Sequence, residues 1–352
     1  MFNQAWLGRL SWRALTGARE ARATVGITIT EGRLAAVRVR PGSPLPLLQE
    51  IRQSTVRPDA VGPALRELAG GGFFHEARVV LILAAGKYET IGIPTAPPVP
   101  EEELKDALRW QLRGSLSYPP EDAAIDFIRL PHAPLPPGSN APEPTPLMVV
   151  AAQRREIARS VQAFQDAGIG VDVVDIPEMA QHNLLPAAQG LTACGGVLSF
   201  DDMSALLTVQ LGDELCFARR MPLPGAGGLG NDEPEHIADR IAINVQRSLE
   251  VFARQTSLPE VARLQLGPHP HAPLIARAIR EHADLAAALF ELGDVVDVAR
   301  SAAPAVSVAR DNMNPELLLA LGAALRRDAR RSTVTRVASV LPAWLQSERK
   351  AA

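Results

Sequence analysis

The 352-residue chain carries 47% hydrophobic and 21% charged residues and a formal net charge of −3. At roughly 100 to 200 residues per domain this length predicts two or three domains; the average apolar content excludes wholesale disorder, and the near-balanced charge excludes a global basic field for nucleic acid. The longest apolar run, 79–85, is far short of the roughly 20 residues that span a bilayer. Two cysteines in apolar runs, Cys194 and Cys216, predict buried thiols of a reducing compartment, with neither a disulfide framework nor a zinc spacing.

Residues 1–22 mix Trp6, Leu7, Leu10 and Trp12 with Arg9, Arg13, Arg19 and Arg22 and lack the apolar centre of a signal peptide. A leader that frays or docks on its own domain is expected, an interfacial membrane segment being the competing reading. From 25 to 39, β-branched and apolar residues flank Glu31-Gly32 in the pattern of a β-hairpin. After a proline-rich break at 41–46 a third strand is expected over 47–55. Val61, Leu65 and Leu68 then recur at helical spacing before Gly70-Gly71-Gly72.

An α+β unit is expected over 77–176. Its strands read at 79–85 and 88–93, and a helix opens on Glu101-Glu102-Glu103, three acids that complement the helix dipole, with Leu104, Leu108 and Leu112 on one face. Strands at 123–130 and 147–152, a helix over 154–167 stopped by Gly168, and a strand at 171–176 complete it. The proline-rich stretch 131–146 reads as an unpaired loop.

The third unit repeats the opening of the chain, with strands at 195–200, 205–211 and 215–221 around a turn at Asp201-Asp202. The glycine-rich stretch 222–230 leads to a long helix capped by Asn231 or Asp232, with Ile237, Ile241, Val245, Leu249 and Phe252 in one stripe. A strand at 263–266, the loop Gly267-Pro268-His269-Pro270-His271 and helices over 273–282 and 315–330 follow. Two hairpin-led units imply an internal duplication in an α/β chain. The expected boundaries are 1–22 for the leader, 23–76 for the first lobe with its continuation at 177–192, 77–176 for the insertion, 193–332 for the second lobe and 333–352 for a tail.

No cluster announces catalysis. Gly225, Gly227, Gly228 and Gly230 precede a helix, as in a phosphate cradle, but lack the strand-GxGxxG-helix frame and read as a connection. His269 and His271 flank a proline with no third metal ligand nearby. Ser199 has no evident base. The turn acids Asp201 and Asp202 could hold a hard cation, although such acids ordinarily bond their own backbone. Arg326, Arg327, Arg330 and Arg331 read as a solvated helix end, with anionic lipid as the alternative partner.

Several stretches, taken in order, resemble the PilM family within the FtsA/PilM branch of the actin-like ATPases: the hairpin at 25–39; Ile93-Pro94, Glu101-Glu102-Glu103-Leu104, Ala107-Leu108-Arg109-Trp110, Tyr118-Pro119 and Asp126-Phe127; then Val149-Val150-Ala151-Ala152, Arg219-Arg220-Met221-Pro222, Arg247-Ser248-Leu249 and 319–326. The likeness spans roughly 23–326 and is greatest to the MSHA-pilus relatives, MshI. It implies a two-lobed actin-like α/β fold with an inserted α+β subdomain. It also implies a cytoplasmic scaffold, peripheral at the inner membrane, in a type IV pilus platform. Its expected partner is the cytoplasmic N-terminal peptide of a PilN-like single-pass protein, held between the hairpin domain and the insertion, with contact to motor or platform proteins and none to nucleic acid.

In the family each hairpin supplies an aspartate two residues before a glycine, which together hold Mg²⁺ and phosphate. Here those places are Thr28 and Thr30 in the first hairpin and Ser199 and Asp201 in the second, and Gly267-Pro268-His269 stands where a paired glycine is expected. The resemblance with these departures implies a pseudo-ATPase, with no catalytic residue, no metal and no cofactor. The competing readings are a working ATPase using Asp202 and a GspL-like cytoplasmic domain of type II secretion.

Overall fold

The computed structural model describes residues 23–30, 32–57, 60–132, 145–185, 193–223, 233–298 and 313–326. The expectations for the leader, the glycine cluster at 225–230, the caps Asn231 and Asp232, the arginines from 327 onward and the tail lie outside the described residues, as does most of the loop at 131–146.

The first hairpin pairs β1 (Ala23–Thr30) with β2 (Gly32–Arg40) in register Ile27↔Ala36, and Gly32 takes the positive φ of 98° that its turn requires. β3 (Leu47–Val56) extends the sheet antiparallel to β2. Helix α1 (Val61–Ala69) buries Leu65 and Leu68 against it. On the other side of β1 lie β4 (Ala77–Ile82) and then β8 (Val173–Asp175), both parallel, which gives the order β3-β2-β1-β4-β8.

Two expected boundaries fall here. β4 and β8 belong to the first lobe, and so does much of α3 (Arg154–Asp166), whose Phe164 packs with Val25, Ile27 and Leu65. The small unit is therefore 88–153, not 77–176: β5 (Tyr88–Ile93), β6 (Ala123–Arg129) and β7 (Leu147–Gln153) in the order β5-β7-β6, covered by α2 (Glu101–Gln111) through Leu104 and Leu108. The physical reason is in the sequence. Val79-Val80-Leu81-Ile82 is buried on both faces, the habit of a central parallel strand rather than of a strand in a small antiparallel sheet.

After α4 (Pro177–His182), a helix too short to show a period, the second sheet repeats the first. β9 (Cys194–Phe200), β10 (Ser204–Leu211) and β11 (Glu214–Pro222) form an antiparallel meander, and β12 (Val261–Leu266) and β13 (Ala286–Leu289) add parallel on the far side of β9, in the order β11-β10-β9-β12-β13. Order and strand sense match the first sheet element for element. α5 (Pro234–Thr256) and α6 (Ala272–Ala283) cover this sheet, α5 with Ile241, Val245 and Phe252 in the core and with Glu233 at its N-cap.

The boundary of the second lobe also moves. Helix α7 (Pro315–Ala324), counted with the second lobe in the sequence, packs on β1, β2 and β4 of the first. Leu292, Val295 and Val296 join that core beside Val37 and Leu48, and Leu47 bridges Asp297. α7 is apolar on nearly every side, so it must be covered on every side. Gly26 allows this: a Cβ there would stand 2.0 Å from the Ala320 carbonyl. The helix ends at Ala324, with Leu325 as its C-cap, rather than at 330.

Candidate functional site

The lobes meet through α4 and α7, which touch backbone to backbone. A Cβ on Gly322 would lie 2.1 Å from the Ala180 carbonyl oxygen, and the Asn183 amide donates to the Gly322 carbonyl at 3.0 Å. At the start of α7, between the end of the first hairpin and the end of β9, opens a cleft of about 830 Å³. It is lined by Arg33, Phe200, Asp201 and Asp202, the loop 267–271, Phe290 and Asn314.

The residues at the two hairpins face inward. Thr28 is 1% exposed, paired to Ala35 on one side and Ile82 on the other. The Thr30 hydroxyl donates to the Glu316 carboxylate at 3.2 Å, which Arg33 also engages at 3.3 Å. Glu316 lies in the first turn of α7, where the helix dipole favours an anion. A side-chain carboxylate thus takes the hydroxyl and the guanidinium that the first hairpin offers.

At the second hairpin Ser199 is buried and donates to the Gln181 side chain, which in turn donates to the carbonyls of Val197 and Leu206. Asp201 caps its own turn. Its Oδ1 accepts from the backbone N–H of Met203 at 2.9 Å and of Ser204 at 2.6 Å, while Oδ2 accepts from the Ser204 hydroxyl at 2.7 Å and from Arg220 at 2.8 Å. Asp202 is exposed at the cleft. Gly267 serves packing: its N–H donates to the Leu198 carbonyl at 2.8 Å, and a Cβ would meet Leu318 at 2.7 Å. Among the described residues no three His, Cys, Asp or Glu side chains are placed to hold a metal ion. Among the described residues, the Glu316 and Asp201 carboxylates beside the hairpins are engaged by the protein's own hydroxyls, N–H groups and guanidinia, while Asp202 is exposed.

Structure thus brings Ser199, Asp201 and Gly267 to one end of β9 and leaves Thr28 inside the first lobe. It adds residues that the sequence did not single out, namely Glu178, Gln181 and Glu316. Two of these are buried acids, and a buried acid has no sequence signal until its partner's position is known.

His269 packs against Phe200 with ring centroids 4.6 Å apart and ring planes tilted by 47°, and its Nδ1 accepts from the His271 N–H at 3.1 Å. Burial and then the neighbouring His271 push its pKa down to about 4. The unfolded chain takes up this proton near pH 6.5 and the folded one only near 4. The contribution of a neutral His269 is therefore full above pH 6.5 and is lost as pH falls through that window. NMR titration is expected to give a His269 midpoint close to 4, and Phe200→Ala, which opens the ring to water, is expected to raise it; a wild-type midpoint near the free value defeats this.

No protein-family model matches the sequence, and no curated protein does. Among solved structures, a chain of the PilM-PilN type IV pilus biogenesis complex matches over 91% of this chain and 99% of its own, at 21% identity and a TM-score of 0.65. With two like-ordered sheets, each led by a hairpin, and a pair of crossing helices between them, that match decides the fold. The chain has a two-lobed actin-like fold. Two further matches are looser and bear no weight. One is the cytoplasmic domain of EpsL, an inner membrane component of the type II secretion system of Vibrio cholerae, at 14% identity over 87% of this chain and 96% of that one with a TM-score of 0.47. The other is a Bacteroides thetaiotaomicron protein described as having an actin-like ATPase fold and unknown function, at 11% identity over 80% and 96% with a TM-score of 0.45. The turn at Asp201 and the loop 267–271, positions that the resemblance to the PilM family gives to nucleotide, both line this cleft.

Proposed function

We propose that this chain is a cytoplasmic scaffold of a type IV pilus assembly platform, of the MSHA type represented by MshI, whose cleft has given up nucleotide chemistry. The observation that carries the reading is the internal occupation of both phosphate loops. Glu316 sits on Thr30 and Arg33, and Arg220 sits on Asp201, so a phosphate arriving there meets two carboxylates with their donors already taken. Desolvating a phosphate against such groups is unfavourable unless new cations replace the lost ones.

The likeness to a chain of a PilM-PilN complex over nearly its full length supports a PilN-like partner, whose N-terminal peptide this chain binds at the inner membrane. No helix among the described residues is long and apolar enough to cross a membrane, which accords with recruitment by a partner already in the bilayer.

Calorimetric titration tests both halves of the proposal. Synthetic peptide from the cytoplasmic N-terminus of a PilN-like single-pass protein is expected to bind, and ATP with Mg²⁺ is expected to give neither heat nor turnover. Hydrolysis that disappears on Asp202→Ala establishes the competing ATPase; absence of peptide binding removes the scaffold reading.

A further inference from the structure

One guanidinium joins three parts of the chain. Arg220 lies on β11, the outer strand of the second sheet. Its Nη1 donates to Asp201 at 2.8 Å and to the Ser204 hydroxyl at 2.9 Å, and its Nη2 reaches the Tyr88 hydroxyl at 3.3 Å and Glu178 at 3.4 Å. Tyr88, the first residue of the small unit's sheet, donates to the other oxygen of Glu178 at 2.6 Å. The small unit, the connecting helix α4 and the second lobe therefore converge on a single side chain. The Glu178 side chain is 4% exposed and that of Arg220 is 29% exposed, so water screens the contacts little. Burial, followed by the Glu178 charge, pushes the Tyr88 hydroxyl well up, which keeps it a proton donor.

The rest of the surface between these parts is sparse. Among the described residues no element of the small unit packs broadly on the second sheet; its main contacts run to its own members and to α3. Arg220 is thus a polar link from the small unit to the second lobe, and a planar guanidinium is a group able to hold several acceptors in fixed directions at once.

We propose that Arg220 is a built-in latch that fixes the small unit against the second lobe, so that their mutual position is set by the protein's own side chains and needs no bound ligand. The latch stands on the geometry alone. Its independence of ligand rests on the reading of the cleft given above.

Pulsed electron-electron resonance between spin labels on the two parts tests it in the full chain. Gln111→Cys on α2 and Gln255→Cys on α5 are exposed, while the native Cys194 and Cys216 are buried and escape labelling. The otherwise wild-type chain is expected to give one narrow distance distribution, unaltered by ATP with Mg²⁺. Arg220→Gln is expected to broaden it and shift it to longer distances, Tyr88→Phe to broaden it less, and Arg220→Lys to fall between wild type and Arg220→Gln. A distribution in Arg220→Gln as narrow as wild type overturns the latch. If Arg220→Gln does not fold, Tyr88→Phe decides, and an unbroadened distribution there overturns it equally. Narrowing of the wild-type distribution by ATP with Mg²⁺ overturns the ligand-free cleft while leaving the latch to be judged on the variants.

Discussion

Gly26→Ala is expected to destabilise the protein by about 3 kcal/mol or more, the upper range for overpacking a close contact. The added methyl carbon would stand 2.0 Å from the Ala320 carbonyl oxygen, 2.4 Å from the Ala324 nitrogen and 2.7 Å from the Ala323 Cβ. Two of the three are backbone atoms of α7 and cannot rotate aside. The helix must lift from β1, and in lifting it opens the core that holds Val37, Leu317, Leu318 and Leu321. Gly62→Ala in α1 is the control: its nearest neighbour is the mobile end of Arg66 at 3.6 Å. Ala is the better helix former, so this change is expected to be neutral or to stabilise by up to about 1 kcal/mol. Urea unfolding followed by circular dichroism compares the two, and equal effects would show that α7 does not depend on the approach at Gly26.

Arg326→Leu is the second large effect. Arg326 pairs with Asp175, whose side chain is 2% exposed at the end of β8. Among the described residues, removing the guanidinium leaves a carboxylate in a low-dielectric site with the Ile176 N–H at 2.9 Å to bond it. Breaking a buried pair from one side costs about 3 to 5 kcal/mol, whereas replacing both partners with apolar groups of similar size is often close to neutral. Arg326→Leu alone is therefore expected to lower stability by that amount, and Asp175→Leu combined with Arg326→Leu to recover most of it. Additive losses in the double variant would mean that the two residues act separately.

Much of the local structure was legible. The hairpin around Gly32, the helix that opens on the acids Glu101 to Glu103 and the stop at Gly168, whose φ is +76°, each depend on residues adjacent in the chain, and each lies where its pattern placed it. What escaped was assembly. Val79-Val80-Leu81-Ile82 shows that a strand is buried on both faces, yet nothing in it says which sheet buries it. The run Leu317-Leu318-Leu319-Ala320 shows a helix in need of cover, yet the cover is Gly26, nearly 300 residues earlier. The site divides the same way. That Thr28 and Ser199 stand where the resemblance expects aspartates is read directly from the chain, whereas the groups that answer Thr30 and Asp201, namely Glu316 and Arg220, are known only from the folded chain. β13, Ala286–Leu289, is three alanines and a leucine and lacks the β-branched residues that mark a strand.

The return of α7 to the first sheet also sets an order of events during synthesis. Among the described residues the main core of the second lobe draws on residues between Cys194 and Ala287, so it can close as soon as that stretch has left the ribosome. The core that Val37 and Leu48 share with α7 must wait for Leu317 to Ala324. The half of the molecule made first is then finished last, against the usual N-terminal-first course of multidomain chains. A nascent chain stalled before residue 315 presents one bare apolar face, that of its oldest sheet, and that face is where a holding chaperone would engage it.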